Sequence, residues 1–249
     1  MPKPLLVAAI GCLTACASGA PPAPAEAPVP APSPAAHVPA SARPGIAVFP
    51  FTNGGAYGRN REDLAAMEVG IQQMLLTELQ QNPALRIVER SALRHVLDEQ
   101  NLATAGRVDA ATAAQVGRLM GARYGITGAF MDLNGNFRLD GRIIDAETGE
   151  VIRAVRIQNQ RRENLYPLLV DLAQQIMAGV ELPPLAAATQ QARRQRRVPD
   201  EAAALYSRAV FNAENGRKEQ AIELYRRIVA SFPDYTEARE ELRQLEVGG

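Results

Sequence analysis

Residues 124–145 read YGITGAFMDLNGNFRLDGRIID. The Asn134-Gly135 pair near the middle is a strong two-residue hairpin signal, because the favoured turn needs positive φ at both central positions. Beyond it Phe137, Leu139, Gly141 and Ile143 alternate with Arg138, Asp140 and Arg142, the period of a strand with one buried face. Before it Tyr124 to Met131 is strand-like. Asp145 to Gly149 predicts a second turn, and Val151 to Ile157 a third strand. The stretch therefore predicts an antiparallel meander, with three strands joined by turns of two and about five residues.

Moving towards the N-terminus, Ile46-Ala47-Val48-Phe49 predicts a strand, followed by the glycine-containing stretch FTNGGAYGRN at 51–60. Leu64, Met67, Ile71, Met74, Leu75 and Leu79 then recur at helical spacing. Asn60 is the predicted N-cap, Glu62 and Asp63 suit the first turn, and Asn82-Pro83 is the stop. Leu85 to Val88 predicts a short strand. Ser91 is the predicted cap of a second helix carrying Leu93, Val96, Leu97 and Leu102. Asp109 is the predicted cap of a third, closed by Gly121. Past the meander, Leu165 to Val180 returns to helical spacing. The predicted class is α/β: a mixed sheet with an antiparallel meander, packed by helices.

Residues 181–200 predict a connector that opens on Pro183-Pro184 and carries Arg193, Arg194, Arg196 and Arg197. As a solvated linker the run needs no function. Its alternative is contact with acidic lipid, a cell-wall polymer or a partner. Residues 201–249 form a small all-α segment, where Leu205, Ala209, Gly216, Ala221, Tyr225 and Pro233 fall at tetratricopeptide offsets. Ile228 stands where a small residue is usual, which predicts looser packing there. One repeat buries too little to stand alone, so it needs the main domain, a second copy or a partner to cover it. Leu205, Ala209, Ala221 and Tyr225 are the candidate partner-binding residues.

The N-terminus predicts export. Lys3 precedes an apolar stretch from Leu5 to Ala15, too short to span a bilayer as a mature helix. It ends in Leu13-Thr14-Ala15-Cys16, which resembles the bacterial lipobox and makes residues 1–15 a signal peptide and Cys16 the lipidation site. Ala9-Ile10-Gly11 before Cys12 is a poorer match. The resemblance implies acylation by fatty acids such as palmitate and, with Ala17 next, the outer membrane facing the periplasm. With Cys12 removed, no thiol remains for a disulfide, a metal or nucleophilic catalysis. Residues 17–44 hold nine prolines among Ala, Ser and Val and predict an extended tether reaching about 85 Å at most. His37 within it reads as solvated.

The 249 residues carry no net charge, which gives no pointer to nucleic acid. A dinucleotide loop would need glycine at 53, 55 and 58; the chain has Asn53, Gly55 and Gly58, so the turn-making first glycine is missing. Glu89, a candidate ribose ligand, lies 31 residues past Gly58, beyond the usual spacing of about 20. Nucleotide binding is therefore the third reading, and no cofactor is predicted. His95 is the only histidine after the tether and is placed on an exposed helix shoulder, so neither a metal site nor a histidine triad is assembled. Asp132, Asp140, Asp145 and Glu147 read as the wet side of the meander rather than as an acid–base pair.

The order GIAVFPF (45–51), a long helix, Ile87-Val88-Glu89-Arg90, Leu97-Asp98-Glu99-Gln100, GARYGITG (121–128) and IDAETGEV (144–151) resembles the CsgG/HfaB family. These are outer-membrane lipoproteins of curli assembly and transport. The resemblance covers about 45–180, and the N-terminal domain of TolB shares its opening strand and helix. It implies an α/β domain, an anchor and self-association. Channel members insert two extra hairpins per subunit into the membrane, each needing strands of about 9–11 residues. No insertion of that kind remains between Ala122 and Gln160. The expectation is a non-enzymatic scaffold or adaptor that binds other envelope proteins, in assembly or export of a surface structure or in envelope maintenance. A curli-type secretion channel is second.

Overall fold

The first strand, β1 (Gly45–Val48), is buried along its whole length because helices lie on both sides of it. Its side chains divide by parity: Ile46 and Val48 enter the larger of two cores, while Ala47, followed by Phe49, enters the smaller. The structure, a computed structural model, describes residues 43–55, 61–100, 108–133, 136–161 and 165–247. The expectations for the signal peptide, Cys16, tether residues 17–42, His37, Gly58, the Asn60 cap, Leu102 and the two turn residues 134–135 fall outside these.

One six-stranded mixed sheet organises the described chain, in the order β3-β1-β4-β5-β6 with β2 also on β4. Strands β1, β3 (Arg86–Ile87) and β4 (Tyr124–Leu133) are parallel. Strands β4, β5 (Asn136–Asp145) and β6 (Val151–Arg161) form the predicted meander. Leu133 pairs with Asn136, which sets the register of the β4–β5 pair. Phe137, Leu139 and Ile143 are fully buried, as the alternation requires. The third strand runs four residues past the predicted end, to Arg161.

Three local expectations change. Part of the glycine-containing stretch at 51–60 is strand β2 (Thr52–Asn53), whose residues pair in parallel with Ala129 and Phe130. The second short strand has only two paired residues, although Leu85 and Val88 on either side are buried as predicted. Helix α2 (Arg90–Glu99) starts one residue before Ser91, with Glu89 at the cap position. The Ser91 hydroxyl donates to the Glu89 carboxylate at 2.6 Å instead of capping the helix.

Helix α1 (Arg61–Leu79) and helix α4 (Leu165–Gly179) cover one face of the sheet. Helices α2 and α3 (Ala110–Leu119) cover the β1 end of the other. The stripe predicted for α1 is buried from Met67 to Leu79. Asn82 ends it, its amide donating to the Pro183 carbonyl at 2.9 Å and its Oδ1 accepting from the Ala84 amide at 3.0 Å. Asp109 caps α3 as predicted, accepting from the Thr112 amide at 2.8 Å. Gly121 leaves that helix at φ 62°, the left-handed conformation that favours glycine.

The C-terminal part adds α5 (Ala187–Gln195), α6 (Asp200–Glu214), α7 (Lys218–Ser231) and α8 (Thr236–Val247). A nine-residue helix thus lies inside the stretch read as a connector. The larger core runs without a break from the sheet through α1 into Leu205, Tyr206, Tyr225 and Ile228. Helices α6 and α1 meet at Gly70: a Cβ built there would lie 2.0 Å from the Ser207 Oγ and 2.8 Å from its Cα. Only a residue without a side chain allows the two backbones to approach so closely. Of the three covers the sequence left open for the terminal helices, the main domain supplies it.

Candidate functional site

The stretch after β1 closes on itself. The Asn53 amide donates to the Glu68 carboxylate at 2.9 Å, Gly54 to the Phe130 carbonyl at 2.7 Å, and Gly55 to the Asn53 side chain at 3.0 Å. Three successive amides that a phosphate would need are therefore engaged, one of them by a carboxylate that would repel it.

The remaining candidates fall into separate places. His95 is 74% exposed on α2, with its Nε2 3.2 Å from Glu99. Asp145 accepts from the Glu147 and Thr148 amides at 2.8 and 3.2 Å and lies 2.8 Å from Arg123, which also pairs with Glu147. Asp140 sits between Arg138 at 2.6 Å and Arg156 at 3.0 Å. Each of these carboxylates faces an arginine, the arrangement of a pinned turn and a salt-bridged strand. Asp132 is buried.

Leu205, Ala209, Ala221 and Tyr225, the candidate partner-binding residues, are at most 6% exposed. They lie inside the core and not on a surface that a partner could reach, which corrects the partner-binding expectation. Small residues at the repeat offsets let α6 and α7 approach each other, and that contact consumes them. Gly216, at φ 71° between those two helices, makes the turn the repeat pattern assigns to it.

The arginine run is corrected too. Arg193 and Arg196 leave solvent and join a buried cluster. Arg193 forks onto Glu78 of α1, whose carboxylate also accepts from the Tyr166 hydroxyl of α4 at 2.6 Å. Arg196 donates to Glu237 of α8 and to the Tyr166 hydroxyl, and lies over the Tyr166 and Tyr235 rings at 5.0 and 5.4 Å. Burial pushes the Tyr166 hydroxyl well above its ordinary range. Burial also raises Glu237, but the Arg196 hydrogen bonds outweigh it and hold the carboxylate below the usual value. One signal for the cluster was present in the sequence: Glu78 falls on the apolar stripe of α1 between Leu75 and Leu79, where an unpaired charge would be costly. Arg194 and Arg197 stay exposed.

Among the described residues, part of one sheet face remains uncovered. Helices α2 and α3 stop at its β1 end, and the meander beyond carries Arg138, Asp140, Arg142, Ala154 and Arg156 around a concavity of about 580 Å³. Strand β6 forms the edge of the sheet beside it, with Val151 and Ile152 46% and 45% exposed.

Residues 33–142 match the family model described as "Curli production assembly/transport component CsgG". Curated proteins contain no match. Among solved structures, the LpoB C-terminal domain from Salmonella enterica is similar at 17% identity and a TM-score of 0.40, over 48% of this chain and 84% of that one. TolB from Acinetobacter baumannii gives 14% and 0.37, over 55% of this chain and 28% of that one. The PelC dodecamer from Paraburkholderia phytofirmans gives 15% and 0.33, over 56% of this chain and 88% of that one. These scores are low and say nothing about function. The chain is thus similar to the CsgG family through residues 33–142, a stretch that includes strands β1 to β4 and most of β5 of the mixed sheet.

Proposed function

We propose that this chain is a non-enzymatic lipoprotein, anchored to the outer membrane through an acylated Cys16, that holds a protein-binding domain in the periplasm. The CsgG-family match supports the setting, and the Leu13-to-Cys16 motif supports the anchor. The observation that carries the binding role is the open part of the meander face, with its arginines beside an exposed sheet edge. A polar, concave face beside the outer edge of β6 offers a partner both side-chain and backbone hydrogen bonds. The terminal helices, fixed on α1, act in this reading as a brace, and their repeat-like offsets describe how α6 packs on α7.

The secretion-channel reading is second. Strands β4 to β6 have the length a membrane strand needs, but one face packs on α4 and the other carries Arg138, Arg142 and Arg156. A lipid-facing band is apolar.

A photo-crosslinking residue placed at Arg142 in cells tests the binding role. The expected result is one discrete adduct with another envelope protein, lost when Arg138 and Arg156 are replaced by Ala. Adducts with the chain itself alone would favour the self-associating channel. In the same cells Cys16→Ser is expected to abolish palmitate labelling and to move the protein out of the membrane fraction.

A further inference from the structure

Strands β1 and β3 are parallel neighbours whose outgoing connections leave for opposite faces of the sheet: β1 leads to α1, and β3 leads to α2. The crevice between two such strand ends is where open α/β sheets hold ligands. Here that crevice is a cavity of about 350 Å³, closed on its third side by the end of α6. This is the size of a small-ligand site.

Phe51, Val69, Leu93, Leu97 and Phe211 give the lining its apolar part. Glu68 and Gln72, one helical turn apart on α1 and both carrying acceptors, line the same cavity. Gln72 is 2% exposed; its Nε2 donates to the Val48 carbonyl at 2.7 Å, which fixes the amide's orientation, and its Oε1 meets no donor among the described residues. A buried acceptor left in that state is costly, so the site calls for a donor. Glu68 takes the Asn53 amide on Oε1, and burial holds its pKa above the ordinary carboxylate value despite that bond. The arginines on the opposite wall are already engaged, Arg90 with Glu214 and Arg94 with Glu214 at 3.2 Å and Asp98 at 3.7 Å. Counting Glu68, Asp98 and Glu214 against Arg90 and Arg94, the lining carries one net negative charge.

We propose that this crevice binds an ammonium or guanidinium group carried on an apolar stem, the stem lying along Leu93, Leu97 and Phe211 and the cation between Glu68 and Gln72. A lysine or arginine side chain of a partner and a free aliphatic amine share that chemistry.

The test titrates the full mature chain with n-pentylammonium, n-pentanol and pentanoate, following the Asn53 amide by NMR because its hydrogen bond reports on Glu68. Pentylammonium is expected to bind at least about tenfold more tightly than pentanol, with pentanoate weakest, since a charge-assisted hydrogen bond outweighs a neutral one. Glu68→Gln keeps an acceptor for Asn53 and is expected to remove that preference while leaving pentanol binding in place. Leu97→Trp, which fills the cavity, is expected to block both. Equal binding of amine and alcohol, or a preference for pentanoate, overturns the proposal on the unaltered protein, whatever the variants do. The capped tripeptide acetyl-Leu-Lys-Leu-amide separates the sources. Tighter binding than pentylammonium supports a partner's side chain, and weaker binding supports a free amine.

Discussion

Two groups of arginines occupy opposite parts of the molecule and behave differently. Arg193 and Arg196 look like a solvated run in the sequence, yet they reach carboxylates on α1 and α8 and a tyrosine on α4, drawing three other helices together. Arg138, two positions before Asp140 on β5, and Arg156, opposite it on β6, share its single carboxylate, while Arg142 lies exposed on the same strand as Asp140. The first group is desolvated by packing; the second keeps much of its water. The difference lies in where the partner carboxylate is. When it is far away in sequence, the ion pair ties elements together, and losing one member leaves a buried charge. When it is local and wet, the pair contributes little and its charges stay available to another molecule.

The comparison breaks most sharply at Glu78. Glu78→Ala leaves the Arg193 guanidinium and the Tyr166 hydroxyl buried without their acceptor, at a cost of about 3–5 kcal/mol in urea unfolding. A loss under about 1 kcal/mol would mean that water replaces the carboxylate and the cluster is not a clamp. Gly70→Ala comes next, because its Cβ meets backbone as well as side-chain atoms of Ser207. The expected loss is about 1–3 kcal/mol. Since α6 must then move off α1, hydrogen exchange should rise in α6 and α7 and not in the meander.

The third prediction concerns acid. The folded pKa of Glu237 lies below its unfolded value of 4.5, so its contribution is fully present above that value and is lost as pH falls through the folded one. The stability gap between the native chain and Glu237→Gln is therefore expected to be constant near neutral pH and to shrink below pH 4.5. Burial raises Glu68 and Glu241, which contribute with the opposite sign as pH falls, so the comparison must be made as a difference from the native chain. The smallest effect is expected for Arg156→Ala, whose side chain is 63% exposed. Its unfolding free energy should stay within about 0.5 kcal/mol of the native value, while the Arg142 crosslink weakens.

By itself the sequence determined the parts of this protein whose physics is local. The alternation after residue 135 specifies the meander and its register, because a slip of one residue would turn Phe137, Leu139 and Ile143 to water. Periodicity on α1 and α4, the Asp109 cap and the Asn82-Pro83 stop are equally local. Tertiary structure alone decided the rest. Thr52 and Asn53 become strand only because β4 lies beside them, and Leu205, Ala209, Ala221 and Tyr225 disappear into packing because α6 has α7 to meet. Arg193 is withdrawn from water by Glu78, 115 positions away. The crevice above β1 and β3 exists only because their connections take opposite faces. Such features depend on which distant elements become neighbours, and one-dimensional spacing carries no record of that.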